Sequence, residues 1–226
     1  PTITSGATAV AIDENSGAGQ VVYTVTSTDT DDIATGSKTY SLKEVDDHAS
    51  FTMDGSTGQV TLTANPDHEA KAAYAFTVIA TDAAGNASEQ AVTLAITNLD
   101  EIAPTITSGA TAVAIDENSG ARQVVYTVTS DDTADISGGV TYSLKPGVGD
   151  AGFLAIHPNT GAVTLIPNPD YETRSSYALT VVATDAAGHF SEQAVTLAIR
   201  DVDESPAPQT IDGMIVTQTI QPGEKG

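Results

Sequence analysis

The chain is written twice. Pro1-Thr2-Ile3-Thr4-Ser5-Gly6 returns as Pro104-Thr105-Ile106-Thr107-Ser108-Gly109, and Asn65-Pro66-Asp67-His68-Glu69 returns as Asn168-Pro169-Asp170-Tyr171-Glu172. Ala80-Thr81-Asp82-Ala83-Ala84-Gly85 returns as Ala183-Thr184-Asp185-Ala186-Ala187-Gly188, and the members of every pair stand 103 residues apart. A period of 20–50 residues would mean a solenoid or propeller. A period near 100 is the size of one independently folding domain, so the chain reads as two domains in series. The boundaries expected from it are 1–103 for the first repeat and 104–206 for the second. Residues 207–226 remain as a tail, with Ile211 to Val216 resembling the opening strand of a different module and the tail expected to be poorly ordered or loosely docked. Because the chain opens on the first residue of a repeat, it reads as a piece of a longer array.

Alternation fixes the fold class. Val21, Tyr23 and Val25 alternate with Val22, Thr24 and Thr26; Tyr74, Phe76, Val78 and Ala80 with Ala75, Thr77 and Ile79; Val92, Leu94 and Ile96 with Ala91, Thr93 and Ala95. Side chains on a strand point to opposite faces in turn, so a period of two in Val, Ile, Thr and Tyr means half-buried strands. Gly, Asp, Asn and Pro clusters punctuate these runs at the spacing of an all-β sandwich. The first repeat is expected to carry strands A to G near 7–13, 20–28, 38–42, 49–53, 58–63, 73–81 and 89–98. The second follows the same scheme, with a one-residue offset between about Lys38 and Phe51. The expected fold is all-β, two tandem seven-stranded Greek-key sandwiches of immunoglobulin type.

Strand parity then places the acids. If successive strands run down and up, the A–B turn, the E–F loop and the segment after G share one pole, while the B–C and F–G loops share the other. Glu14, Asp67, Glu69, Asn98, Asp100 and Glu101 fall at the first pole of domain one. Asp132, Asp135 and Asp185 fall at the opposite pole of domain two. A connector of a few residues near Glu101 to Pro104 predicts that these poles face one another, which brings eight carboxylates to one junction. Such a cluster repels itself strongly, and the whole chain has only 8 Lys and Arg against 30 Asp and Glu, a formal charge of -22. Hard divalent cations suit it. Calcium takes about 6–8 oxygens from carboxylates, amide oxygens, backbone carbonyls and water, whereas magnesium demands a stricter octahedron and zinc or copper would want His or Cys. General acidity for solubility would scatter the acids instead of gathering them at the poles.

The same charge argues against nucleic-acid binding. Cys is absent, so there is no disulfide framework and no thiolate nucleophile. No run approaches the roughly 18 apolar residues of a membrane span. His48, His68, His157 and His189 do not recur between the repeats, and His68 is expected to point away from its acidic neighbours. No Gly-x-Ser-x-Gly element or EF-hand loop is present, and the paired loop acids lack a cleft for a sugar. An enzymatic site is therefore not expected in this chain.

These residues resemble the tandem cadherin repeats of bacterial type that build large surface adhesins. Asp13-Glu14-Asn15 is similar to that family's acidic motif after strand A, Pro66-Asp67-His68-Glu69 to its E–F loop motif, and Ala80-Thr81-Asp82 to its F-strand motif. Asp29 and Asp32 occupy the place of its Asp-x-Asp loop. Asn98-Leu99-Asp100-Glu101-Ile102-Ala103-Pro104 looks like its calcium-binding linker, one residue longer than usual. The resemblance covers residues 1 to about 207. It implies calcium ions between successive repeats and calcium-dependent adhesion at the surface of a secreted, bacterial protein. Asp29, Asp32 and Asp82 would then form a half-site toward a preceding repeat, and Glu117, Asp170, Glu172, Asp201, Asp203 and Glu204 a half-site toward a following one. The expected partners are neighbouring repeats of the same chain, with either a spacer role or homophilic or heterologous adhesion. The alternative is an accessory β-sandwich module of a secreted enzyme.

Overall fold

The protein is described here from a computed structural model covering residues 1–30, 37–136, 138–205, 209–211 and 214–216. The chain divides into two compact units, Pro1–Glu101 and Ile102–Gly226. The first contains β1 (Thr2–Ile3), β2 (Ile12–Asp13), β3 (Gln20–Thr24), β4 (Ser27–Thr28), β5 (Thr39–Leu42), a 3-10 turn at His48–Ser50, β6 (Phe51–Met53), β7 (Gln59–Leu62), β8 (Ala73–Thr81) and β9 (Ala87–Thr97). One sheet runs β2-β9-β8-β5 and the other β3-β7-β6, with β1 paired to β4.

The long hairpin of β8 and β9 is the spine of the unit, in register from Ala73 opposite Ala95 to Thr81 opposite Ala87. Its inward residues are those the alternation marks: Phe76, Val78, Ala80, Val92, Leu94 and Ile96 are all buried. The first strand departs from expectation. Instead of one strand over 7–13, β1 pairs antiparallel with β4 in a two-stranded sheet of its own, and the chain then runs on so that β2 lies parallel to β9 at the edge of the four-stranded sheet. The second strand also departs: Val22 and Val25 are buried while Val21 is 52% exposed. The pairing of β3 with β7 shifts between Val21 and Tyr23. A bulge of this kind inserts an extra residue and resets which face points inward, which is how Val22 and Val25, three residues apart, both come to be buried.

The D–E hairpin turn of this unit carries a glycine that the packing demands. Gly58 has φ +76, and a Cβ there would come within 2.7 Å of the Val25 carbonyl oxygen. Inside, the Phe51 and Phe76 rings pack at a tilt, 4.6 Å between centroids, flanked by Tyr23 and Tyr74.

The second unit repeats the plan with β10 (Thr105–Ile106), β11 (Ile115–Asp116), β12 (Gln123–Thr127), β13 (Ser130–Asp131), β14 (Thr141–Leu144), a 3-10 turn at Ala151–Phe153, β15 (Leu154–Ile156), β16 (Ala162–Leu165), β17 (Ser176–Thr184) and β18 (Phe190–Arg200). Its sheets are β11-β18-β17-β14 and β12-β16-β15, over a core of its own that includes Val163, Leu165, Tyr177, Leu179 and Leu197. In the tail, β19 (Gln209–Ile211) pairs antiparallel with β20 (Met214–Val216). A single strand from Ile211 to Val216 is therefore replaced by two short paired strands. The expectation for the rest of the tail lies outside the described residues.

Candidate metal centres

The acidic pole of the first unit is assembled by its backbone. Asn15 adopts φ 55, a left-handed conformation that asparagine tolerates better than most residues, so the chain reverses directly after Glu14. The turn is tied to the E–F loop by the Asn15 N–H donating to the Pro66 carbonyl at 2.9 Å and the Gly17 N–H donating to Asn65 Oδ1 at 2.7 Å. The Glu14 side chain, 1% exposed, is thereby turned inward. Its two oxygens accept from the backbone N–H groups of His68 and Leu99, each at 2.7 Å. Those of Leu99 and then His68 hold the Glu14 carboxyl below the usual carboxylate range, because both favour the ionised form. One carboxylate thus joins the A–B turn, the E–F loop and the segment after β9.

Asp67 and Glu69 are brought to it. One carboxylate oxygen from each of Glu14, Asp67 and Glu69 lies within 4.8 Å of the others. Asp67 is fixed from within its own turn by the Ala70 N–H at 2.9 Å. Among the described residues, the basic group against this trio is His68, whose Nδ1 is 3.5 Å from Glu69 Oε1. The expectation that His68 points away is thus corrected: His68 lies inside the turn that the Lys71 N–H closes onto the Asp67 carbonyl, and its ring stands beside Glu69.

The second unit builds the same site with different neighbours. Glu117, 3% exposed, accepts from the N–H of Tyr171 at 2.8 Å and of Val202 at 2.7 Å, and stands within 4.8 Å of Asp170 and Glu172. The Val202 and Tyr171 donors keep the Glu117 carboxyl low. For Glu172 its own N–H pulls downward, but desolvation and the Glu117 charge prevail and its carboxyl is raised. That is the behaviour of like charges crowded together. Glu172, Asp201, Asp203 and Glu204 line an open cleft of about 580 Å³ with Val202 and Ser205. Asp203 accepts from the Ser205 N–H at 2.8 Å, and Asn118 donates to Glu204.

At the opposite poles, Asp82 receives the N–H groups of Ala84 and Asn86 and the Asn86 side-chain amide, each at 2.9 Å, and its carboxyl is lowered chiefly by Asn86. Asp29 lies 3.4 Å from the Pro1 amino group. In the second unit His189 replaces Asn86. Asp185 Oδ1 accepts from the Gly188 and His189 N–H groups at 2.7 and 2.8 Å, while among the described residues its buried Oδ2 has no hydrogen-bond donor and lies 3.5 Å from the His189 ring. Asn98, Asp100, Asp132 and Asp135 are half-buried and Glu101 is exposed. Asp32 lies outside the described residues.

Oxygen donors dominate every cluster. Among the described residues no Lys or Arg ion-pairs with Glu14, Asp67 or Glu69 or with their second-unit counterparts, and the Asp185 Oδ2 atom is buried without a donor. A hard, oxygen-seeking cation fits this donor set. Sequence reading found the carboxylates but missed Asn65 and Asn168, whose side chains hold the turns. Their identical placement before Pro66 and Pro169 was the available signal.

A family model described as the cadherin domain matches residues 8–97 and again 111–200. The chain belongs to the cadherin family, as two tandem cadherin domains. It is 30% identical over 190 residues to "Protocadherin Fat 4" of Mus musculus, covering 82% of this chain and 4% of that protein. It is 30% identical over 184 residues to "Cadherin-24" of Mus musculus, covering 76% of this chain and 24% of that one. The chain therefore spans a small part of the length of these relatives. Among solved structures, mouse cadherin-23 EC22-24 superposes with a TM-score of 0.66 at 27% identity, over 87% of this chain and 64% of that one. Human protocadherin-24 EC1-2 superposes at 0.68 and 20% identity, over 89% and 98% respectively, a likeness of fold. These relatives are animal cadherins, adhesion proteins rather than enzymes.

Proposed function

We propose that the chain is a pair of calcium-binding repeats, 1–103 and 104–206, from the extracellular stalk of a bacterial cell-surface adhesin, with 207–226 a tail or the start of a further module. The observation that carries this reading is the buried Glu14 carboxylate gathered with Asp67 and Glu69, and built again at Glu117, Asp170 and Glu172. In this reading Glu14, Asp67, Glu69, Asn98, Asp100 and Glu101 of the first repeat, with Asp132, Asp135 and Asp185 of the second, hold calcium at the junction. Bound calcium would supply the positive charge that allows these carboxylates to converge and would tie the loops that carry them together. The chain's part is to present the carboxylates preformed: Asn15 and Asn65 set the turn, and the His68 and Leu99 amides keep Glu14 ionised. The Asp29, Asp32 and Asp82 group and the group from Glu117 to Glu204 serve preceding and following repeats. Ordering of the connector on binding stiffens the array and protects it from proteolysis. The scarcity of exposed aromatic and Arg anchors favours a spacer over a directly adhesive surface.

Calorimetric titration with calcium tests this. The wild-type chain should bind, Glu14→Ala should bind about tenfold or more weakly at the junction, and Glu117→Ala should leave junction binding unchanged. Small-angle scattering should show a narrower spread of interdomain angles in millimolar calcium than in chelator. Equal loss in both variants, or scattering indifferent to calcium, would defeat the reading.

A further inference from the structure

Away from the acidic trio, each repeat contains a second anchored pair. Asp47 is locked to strand β8 by two backbone connections, its N–H donating to the Ala75 carbonyl at 2.9 Å and its Oδ2 accepting from the Ala75 N–H at 2.9 Å. Its other oxygen is 2.7 Å from Lys71 Nζ, and the ammonium also lies 5.2 Å from the centre of the Tyr74 ring. Lys71 is the residue whose N–H closes onto the Asp67 carbonyl at 2.9 Å, completing the turn that displays Asp67 and Glu69. The second repeat has the same build with other residues. Asp150 exchanges hydrogen bonds with Ala178 at 2.6 and 2.8 Å and pairs with Arg174. The guanidinium covers Phe153 at 4.8 Å and Tyr177 at 5.4 Å, and the Arg174 N–H closes onto the Asp170 carbonyl at 2.9 Å.

The loop leading to the acid is one of the places where the copies have parted. It reads Glu44-Val45-Asp46 in one and Pro146-Gly147-Val148-Gly149 in the other, one residue longer, yet the acid that follows is kept at Asp47 and Asp150. With only 8 Lys and Arg in the chain, each repeat places one of them here. A half-exposed ion pair adds little to global stability, so fold maintenance is a weak account of it. A partner one step removed from a metal's ligands, by contrast, fixes their orientation and acts on affinity.

We infer that Asp47–Lys71 and Asp150–Arg174 are positioning pairs, which moor the carboxylate-bearing E–F turn to the strand beneath it and preset it for calcium. This rests on the calcium reading of the trio.

The test exploits sign. Lys71→Met removes a positive charge near an anionic site and, by charge alone, tightens calcium binding; Asp47→Asn removes a negative charge and, by charge alone, loosens it. A positioning pair predicts that both loosen binding in calorimetric titration of the full chain with calcium, by about tenfold. The double variant should then lose no more than either single one, and Lys71→Arg should keep wild-type affinity. In chelator, hydrogen exchange at the Ala70 and Lys71 amides should quicken in both single variants while circular dichroism stays unchanged. Opposite-signed or absent affinity shifts overturn the inference. If wild-type protein fails to bind calcium, the reading of the trio falls, and the metal-free amide exchange still decides the mooring: unchanged exchange in both variants overturns it.

Discussion

The first repeat buries two phenylalanine rings where the second buries two leucines. Phe51 and Phe76, 4.6 Å apart in the first core, correspond to Leu154 and Leu179 in the second, both buried. The second repeat instead carries a ring where the first has Ser50: Phe153, 43% exposed, packed edge-on against Tyr177 at 6.0 Å beneath Arg174. Apolar volume has moved from the interior to the loop surface, while the carboxylate trios and the Asn15 and Asn118 turns are the same in both. Core filling is interchangeable provided volume and pattern are kept. A ligand-presenting turn is not, because it depends on particular backbone donors and a left-handed residue at one position.

That contrast predicts a graded set of effects. Phe76→Ala should cost the first repeat about 3–5 kcal/mol, the loss expected for deleting a fully buried ring. Leu179→Ala should cost the second about 2–5 kcal/mol. Phe153→Ala, which removes a half-exposed ring and its cation contact, should cost only about 1 kcal/mol. Urea unfolding in chelator, followed separately for each domain, measures all three. If Phe153→Ala matched Phe76→Ala, the outer ring would be part of the core and the comparison would fail.

Where the copies agree, the effects should agree too. Gly58 and Gly161 have φ +76 and +68, and a Cβ on either would collide with a carbonyl, Val25 at 2.7 Å or Val128 at 2.3 Å. Gly58→Ala and Gly161→Ala should each destabilise their own domain by about 1–3 kcal/mol, the cost of forcing a side chain into such a site, and to a similar extent. A large difference in the same unfolding experiment would mean that one hairpin can relax and the other cannot.

How much of this could be read from the chain follows the same line. Strand β9 was legible because Val92, Leu94 and Ile96 point inward with small Ala91, Thr93 and Ala95 between them. Strand β3 was not, because its bulge shifts the inward face and no local signal marks Val22 over Val21. The two-residue strand at Thr2–Ile3 is held by a partner some 25 residues away, too short for any period to show. Glu14, Asp67 and Glu69 were legible as acids at one pole. What turns Glu14 inward was not, since the His68, Leu99 and Asn65 contacts join segments about 50 to 85 residues apart. Side-chain to backbone bonds across such distances leave no periodic trace.

The smallest expected effect concerns the D–E turn, where Asp54 in the first repeat corresponds to His157 in the second. Asp54 Oδ1 accepts from the Ser56 hydroxyl at 2.6 Å and from the Ser56 and Thr57 N–H groups at 2.8 and 3.0 Å. Led by the Ser56 hydroxyl, these hold its carboxyl at about 2, against an ordinary 3.8. A folded-state value below the unfolded one means that the stabilisation is fully present above about 3.8 and disappears as pH falls through about 2. His157 occupies the matching turn through its ring nitrogen, 3.3 Å from the Asn159 and Thr160 N–H groups, and supplies no carboxylate. In chelator, Asp54→Asn should therefore lower the melting temperature of the first repeat modestly at pH 5, with the difference from wild type shrinking toward zero near pH 2, and leave the second repeat's melting unmoved. No difference from wild type at pH 5 would show that the turn is held by geometry common to Asp and Asn and not by charge. The D–E turn would then belong with the interchangeable parts of the repeat.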